Sequence, residues 1–211
     1  FQYSPLNGET FFKGVYRLPE GHYYTYKDGK LDIQQYWDAD FETKETHSRQ
    51  EWIEKIDETV QASIEAHTIS DVEVGSFLSS GVDSSYVTSV LKPDHSFSIG
   101  FDDKTYNEAI EARKLTELLD LDNTAAVIDG DMSFKAFPLI QYHLDEPDSN
   151  PSCVPLYFLA NLASQSVRVV QSGEGADELF AGYQTYGFHT NSKIYPCDCA
   201  RTEKIAKRDT L

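Results

Sequence analysis

From residue 71 onward, short apolar runs alternate with longer segments whose apolar residues recur every three or four positions. The short apolar runs predict buried strands, and the recurrence of apolar residues every three or four positions predicts amphipathic helices. Strands that alternate with helices favour βαβ crossovers, so we expect an α/β fold with a parallel sheet and helices on both faces. The expected strands are 72–78, 95–101, 124–128 and 167–171, and the expected helices are 84–91, 105–119, 134–144 and 155–166.

The boundaries of the predicted helices rest on local signals. Thr105 to Glu108 forms a capping box, Pro155 suits the first turn of a helix, and Pro138 should disturb the start of the helix that contains it. An earlier capping box at Ser48 to Glu51 precedes apolar residues at helical spacing, so a further helix should run from there to His67 or Ile69.

The N-terminal part of the chain has a different pattern. Residues 11–31 are rich in aromatic and β-branched types, which favour strands, and Asp28-Gly29 is a hairpin turn signal. This segment is too short to bury a sheet face alone. We interpret residues 1–46 as the end of a β-rich domain plus a polar linker, and residues 47–211 as the α/β domain. Because the chain does not begin with Met, we expect it to be a piece of a longer protein.

Composition narrows the possible partners. The formal net charge of −17 disfavours nucleic acid, whose phosphates need clustered Lys and Arg, and no apolar stretch is long enough for a membrane span. One nucleotide remains compatible, because backbone amides and a divalent cation can hold its phosphates. Cys153, Cys197 and Cys199 are interpreted as reduced thiols, as in a cytoplasmic protein. The oligomeric state is left open, with a homodimer as one option.

The loop after the first strand of the predicted sheet is Ser79-Ser80-Gly81-Val82-Asp83-Ser84-Ser85. Its hydroxyls, its small residues and the N-terminus of the next helix together suit a phosphate or pyrophosphate. Gly81 can take a positive φ. Asp83 is a carboxylate at an anion site, which makes sense if it carries Mg²⁺ bridging to phosphates. The alternative is an ordinary turn, with Asp83 or Ser84 as a helix N-cap.

A second loop of similar type follows the fourth strand. Residues 172–183 begin Ser-Gly, then place Glu174, Asp177 and Glu178 beside glycines, and end at Tyr183. Taken alone, this could be a solvated acidic turn. If the first and fourth strands are neighbours, however, Asp83 and Asp177 come close where the strand order reverses, and they could share Mg²⁺.

At these two loops the sequence resembles a known family. A strand followed by Ser-Gly-Gly-x-Asp-Ser is typical of the PP-loop ATP pyrophosphatases, and the motif from Ser172 to Tyr183 is similar to glutamine-hydrolysing asparagine synthetases. The resemblance extends from about Phe11 to Tyr186. It implies an adenine nucleotide alpha-hydrolase-like fold. It also implies that the β segment is the remnant of a glutaminase domain, whose ammonia would derive from glutamine.

The resemblance further implies roles for individual residues. Glu174 corresponds to the residue important for forming β-aspartyl-AMP, and Asp83 and Asp177 correspond to metal-associated carboxylates. Ser80 departs from the family, which has a second glycine there, so the loop must hold a conformation that a serine can adopt. The implied ATP-binding residues are Leu78, Ser79, Ser80, Gly81, Asp83, Ser84, Ile99, Ser172 and Gly173.

The implied reaction uses ATP, Mg²⁺ and aspartate: aspartate is adenylated and then aminated to asparagine, with release of AMP and pyrophosphate. Two alternatives stay open. One is another amide-forming synthetase of the PP-loop type, such as a β-lactam synthetase-like enzyme. The other is a catalytically incomplete nucleotide-binding module, because the resemblance stops before the end of the family's pattern and residues 199–204 look like a later helix that follows Tyr183 too closely.

Overall fold

A computed structural model describes residues 8–39, 45–102 and 108–183 of the chain. Its first element is an antiparallel hairpin of strands β1 (His22–Lys27) and β2 (Lys30–Gln35). The turn residues Asp28 and Gly29 both have positive φ, 53° and 76°. Two consecutive positive φ values match the twist of a two-residue hairpin turn. The predicted hairpin is therefore confirmed.

Helix α1 spans Arg49–Ala66 and begins with the predicted capping box. The Ser48 side chain accepts a hydrogen bond from the amide of Glu51, and the Glu51 carboxylate accepts one from the amide of Ser48 at 2.7 Å. These bonds satisfy two amides that have no partner inside the helix. The helix ends at His67, its C-cap, as the sequence predicts.

The α/β part of the chain contains a four-stranded sheet. Its strands are β3 (Val74–Phe77), β4 (Ser96–Phe101), β5 (Asn123–Ile128) and β6 (Val169–Gln171). The order across the sheet is β5-β4-β3-β6, and all three pairings are parallel. The chain builds the sheet outward from β3 to β5 and then returns to add β6 on the other side of β3. Strand order therefore reverses between β3 and β6, and the inferred adjacency of the first and fourth predicted strands is confirmed.

Helices cover both faces of this sheet. Ser76 of β3 hydrogen-bonds through its hydroxyl to Thr88, at 2.7 Å and fully buried, whereas the next residue, Phe77, packs against the cluster of Phe97, Ala163 and Val167. Successive side chains of a strand point to opposite faces. The helices that carry Thr88 and Ala163 consequently lie on opposite faces, as expected for this class. The helices after α1 are α2 (Val82–Leu91), α3 (Glu108–Leu119), α4 (Gly130–His143), α5 (Cys153–Ala163) and α6 (Ala176–Phe180).

The prediction for helix α4 was wrong at its N-terminus. The helix begins at Gly130 rather than Phe134, and it continues through Pro138. The physical reason is the N-cap: the Asp129 side chain accepts a hydrogen bond from the amide of Met132 at 2.7 Å. A capped first turn offsets the poor helix propensity of glycine. The capping box predicted at Thr105 lies outside the described residues.

An ion pair joins the N-terminal segment to the α/β part of the chain. The guanidinium of Arg17 pairs with the carboxylate of Glu146, a side chain that is only 16% exposed. The proposed domain division after residue 46 stays a prediction. None of the helices in the described ranges is long and apolar enough to cross a membrane. Cys197 and Cys199 lie outside those ranges.

Candidate active site

An open cleft of about 400 Å³ lies at the carboxyl ends of β3, β4 and β6. This is the edge of a parallel sheet at which ligands bind where strand order reverses. The loop after β3 (residues 78–84) and the loop after β6 (residues 172–183) both contribute to it. The residues that line the cleft are Phe77, Leu78, Ser79, Gly81, Asp83, Ser84, Ile99, Phe101, Ser152, Pro155, Leu156, Leu159, Ser172, Gly173, Glu174, Gly175, Asp177, Glu178 and Tyr183.

The loop after β3, here called the serine loop (residues 78–84), is held by its own hydroxyl groups. The amide of Ser79 donates to Ser84 Oγ at 3.1 Å, and the two hydroxyls are hydrogen-bonded at 2.8 Å. Ser84 Oγ also donates to the carbonyl of Gly81 at 3.3 Å, while the amide of Gly81 donates to Ser79 Oγ at 3.0 Å. The loop is therefore folded back on itself around Ser84.

Gly81 is the N-cap of α2, and no side chain caps this helix. Its φ is −71°, so the loop does not use the positive φ that glycine permits. A Cβ here would lie 3.1 Å from Ser79 Oγ, which is a tight contact. Asp83 lies in the first turn of α2 and is not its N-cap, so the alternative of an ordinary Asp83 or Ser84 cap is wrong. The first amides of α2 remain without a side-chain cap, at the positive end of the helix dipole.

The loop after β6, here called the acidic loop (residues 172–183), touches the serine loop at Gly173. A Cβ built on Gly173 would lie 2.7 Å from the amide nitrogen of Ser84 and 2.9 Å from both Cβ and the carbonyl carbon of Asp83. Such distances are too short for real Cβ atoms, and two of these three contacts are to backbone. The absence of a side chain at Gly173 therefore lets the backbones of the two loops meet.

The acidic loop uses unusual backbone conformations. Gly175, the N-cap of α6, has φ of 92°, and Ala181, its C-cap, has φ of 54°. Both caps of the five-residue helix between them are therefore in the left-handed backbone region. Asp177 and Glu178 lie in the first turn of this helix. The hydroxyl of Tyr183 donates to Glu178 Oε1 at 2.7 Å, and this bond raises the pKa of Tyr183 to about 12.

Among the described residues, four carboxylates line the cleft, namely Asp83, Glu174, Asp177 and Glu178. Within the described ranges, no group of three or more His, Cys, Asp or Glu side chains is arranged to hold a metal ion. The side chains in the described part of the chain therefore provide no closed metal cage by themselves. Two carboxylates with phosphate oxygens and water are a different kind of site, one that Mg²⁺ commonly uses.

Apolar residues line the cleft beside the polar loops. Leu78 is 2% exposed. Its amide donates to the carbonyl of Phe97, and its carbonyl accepts from the Ser98 hydroxyl at 2.8 Å, so both of its backbone polar groups are hydrogen-bonded. Ile99, on β4, also lines the cleft. Pro155, Leu156 and Leu159 of α5 also line the cleft and were not predicted; the only sequence signal for them was the helix start at Pro155.

Ser80 differs from the other predicted ATP-binding residues. It is exposed and is not among the residues that line the cleft, whereas the remaining predicted residues all line it. Ser80 is also absent from the described non-glycine residues with positive φ. The loop thus holds a backbone conformation that serine adopts readily, as expected from the serine at this position. Its predicted contact with ATP stays a prediction.

Comparisons with known proteins agree with this geometry. A family model described as asparagine synthase matches residues 55–207, a range that contains both loops. The chain belongs to the asparagine synthase family. It is 36% identical over 191 residues to asparagine synthetase [glutamine-hydrolyzing] 1 of Bacillus subtilis, covering 88% of this chain and 30% of that protein. It is 34% identical over 193 residues to a putative asparagine synthetase [glutamine-hydrolyzing] of Mycobacterium tuberculosis, covering 88% of this chain and 29% of that protein.

This member of the asparagine synthase family therefore spans about 30% of the length of these curated relatives. Among solved structures, it is similar to the NMN synthetase of Francisella tularensis, with a TM-score of 0.41 and 18% identity over 65% of this chain and 59% of that one.

Proposed function

We propose that this chain is the ATP-using part of a glutamine-dependent asparagine synthetase. The observation that carries the proposal is the contact of Gly173 with Asp83 and Ser84, which joins the serine loop and the acidic loop in one cleft. One loop can hold the phosphates, while the other presents carboxylates to the reacting groups. Family membership supplies the reaction class.

The proposed reaction has two steps. First, a side-chain carboxylate oxygen of aspartate forms a bond to the α-phosphorus of ATP, and the bond to the bridging oxygen breaks, so that pyrophosphate leaves with that electron pair. Ammonia then attacks the acyl carbon of β-aspartyl-AMP. The bond from the acyl carbon to AMP breaks, a proton is lost from the nitrogen, and asparagine and AMP remain. Donors placed before the reaction stabilise the charge that develops on the leaving pyrophosphate.

The residues of the cleft divide between these tasks. Ser79, Gly81 and Ser84 would hold the pyrophosphate through amides and hydroxyls. Leu78 and Ile99 would contact the adenosine, and Ser172 and Gly173 would contact the nucleotide from the acidic loop. Ser80 would act at the periphery of this site. Glu174 would take part in forming β-aspartyl-AMP and would then orient the incoming amine or take its proton, roles that require a carboxylate facing the cleft.

The carboxylate oxygens in the cleft suit Mg²⁺. Asp83 and Asp177 both line the cleft, and hard oxygen ligands of this kind, completed by phosphate oxygens and water, suit this ion. These two carboxylates would hold Mg²⁺, which would supply positive charge next to the phosphates. Without it, four carboxylates would face a polyanionic nucleotide.

The other parts of the proposal follow from the family. Ammonia would come from glutamine through an amidotransferase domain, of which residues 1–46 would be the last part, and residues 47–211 would form the synthetase domain. The protein would act in the cytoplasm, and the homodimer remains one option for its assembly. The net charge of −17 supports small-molecule partners rather than nucleic acid.

Exchange of labelled pyrophosphate into ATP tests the proposal on the full-length protein. We expect exchange that depends on aspartate, because the first step is reversible. Asp83→Ala and Glu174→Gln should each lower the rate about 100-fold or more, as expected when a transition-state contact is removed. Glu58→Gln, an exposed carboxylate of α1 outside the cleft, is the matched control and should keep the wild-type rate. Exchange without aspartate, or variants equal to wild type, would contradict the proposal.

A further inference from the structure

Helix α1 (Arg49–Ala66) lies outside the cleft, since none of its residues lines it. It nevertheless makes two side-chain hydrogen bonds to the elements that carry the cleft loops. One contact is with α2, which continues from the serine loop. The other is with β6, which leads into the acidic loop.

The first contact joins the middle of α1 to the first turns of α2. The hydroxyl of Tyr86 donates to Asp57 Oδ1, and Gln61 donates to Asp57 Oδ2 at 2.9 Å. The hydrogen bond raises the pKa of Tyr86 and lowers the pKa of Asp57, so a neutral phenol meets an ionised carboxylate. Hydrogen bonds to charged groups are stronger than neutral ones. Tyr86 follows Ser84 by two residues, so this bond fixes α2 close to the serine loop.

The second contact joins the end of α1 to the end of β6. The amide of the Gln171 side chain donates to the carbonyl of Ile64 at 3.2 Å. Ile64 is 5% exposed and lies in the last turn of α1, where its carbonyl also accepts a hydrogen bond from the amide of His67 at 3.2 Å. Gln171 is the residue immediately before Ser172, so this bond, together with the pairing of Gln171 with Ser76 of β3, fixes the position from which the acidic loop departs.

Together with the contact at Gly173, these bonds complete a ring. It runs from α1 through Tyr86 to the serine loop, across Gly173 to the acidic loop, and back through Gln171 to α1. In a closed ring, moving one loop relative to the other requires a contact to break. Small displacements at an active site are costly, because catalysis depends on precise distances.

We propose that α1 is a brace that sets the relative position of the two loops, with Asp57, Tyr86 and Gln171 as positioning residues of the ATP site. This inference rests on the proposed function. None of the three side chains lines the cleft. Their effect on ATP is therefore indirect, through the spacing of the serine loop and the acidic loop.

Amide hydrogen exchange tests the ring without reference to activity. Tyr86→Phe removes only the hydroxyl on α2, yet it should speed exchange of amides in residues 172–175 as well as 79–84. Gln171→Leu should in turn speed exchange in residues 79–84. The matched control is Ser89→Ala, which removes a hydrogen bond of 2.6 Å from the same helix to Ser85, within α2 itself. It should leave both loops unchanged.

Kinetics separate positioning from general stabilisation. Tyr86→Phe and Asp57→Ala should each raise the KM for ATP about ten-fold, the size expected from loss of one hydrogen bond to a charged group. Asp57→Asn keeps an acceptor oxygen for Tyr86 and should remain within about three-fold of wild type. If these variants lower only the melting temperature, with KM and loop exchange as in wild type, the brace is excluded. If the wild-type protein shows no aspartate-dependent exchange of pyrophosphate, the proposed function fails instead, while the amide exchange result still tests the ring.

Discussion

The two loops of the cleft are built in opposite ways. The serine loop is held mainly from within, since Ser79, Gly81 and Ser84 bond to one another and a ten-residue helix follows. The first residues of the acidic loop have longer internal bonds, such as the 3.4 Å contact from the amide of Glu174 to the Ser172 hydroxyl, and the shorter bond of 2.7 Å from Tyr183 to Glu178 joins the five-residue helix α6 to the far end of the loop. The position of the acidic loop depends on outside contacts, at Gly173 and Gln171. The serine loop, which is ordered by its own hydrogen bonds, suits phosphate binding. The acidic loop, which is positioned by neighbouring elements, suits side chains that must be aligned with the serine loop.

Replacing Gly173 with alanine should have the largest effect on this arrangement. The new Cβ would lie 2.7 to 2.9 Å from atoms of Asp83 and Ser84, so the loops must separate. Overpacking of this kind costs about 1–3 kcal/mol of unfolding free energy, and a displacement of about 1 Å can cost about 100-fold in rate. We expect a folded protein with pyrophosphate exchange reduced about 100-fold.

The control for that variant is Gly130→Ala, at a glycine where an added Cβ meets nothing within 4 Å. It should keep the wild-type exchange rate. A Gly173→Ala protein with wild-type exchange would show that the two loops do not need to touch.

Replacing Ser84 with alanine should have a smaller effect, confined to the serine loop. It removes the acceptor of the Ser79 amide and the donor to the Gly81 carbonyl. We expect this loss to lower the free energy of unfolding by about 1–2 kcal/mol. We expect the KM for ATP to rise about ten-fold, because the loop that would hold the phosphates loses its central hydroxyl. Steady-state kinetics measure this change. Ser85→Ala, which alters the next hydroxyl outside the network, should remain within about two-fold of wild type.

An equal effect of the two serine variants would contradict the idea that the serine loop is ordered around Ser84. A loss of amide protection in the acidic loop of Ser84→Ala, as large as in the serine loop, would instead show that the internal hydrogen bonds of the serine loop also order the acidic loop. Either result would remove the contrast between an internally bonded loop and an externally supported one.

The sequence predicts those features of the fold that depend on local pattern. The hairpin turn at Asp28 and the capping box at Ser48 depend on residues within a few positions of each other, and the structure has both. The parallel sheet follows from the alternation of strand and helix periods. The N-terminus of α4 was missed because Gly130 disfavours a helix, while the cap from Asp129 outweighs that preference.

The candidate site is predictable in its motifs but not in its contacts. Glycine-bearing loops after strands are visible in the sequence, whereas the bonds from Tyr86 to Asp57 and from Gln171 to Ile64 join residues far apart in the chain. Periodicity reports which face of an element is buried, and it carries no information on such pairs. The need for glycine at Gly173 likewise comes from the backbone of another loop, because only the folded chain brings Asp83 beside it.

Transfer of oxygen from aspartate to AMP reports directly on the adenylation step. Aspartate labelled with oxygen-18 in its side-chain carboxylate is incubated with ATP, ammonia and the full-length protein, and the products are analysed by mass spectrometry. If aspartate is adenylated in the cleft, one labelled oxygen is transferred to AMP as asparagine forms, and pyrophosphate carries none. Asparagine formed with unlabelled AMP, or with ADP and labelled phosphate, would contradict the account.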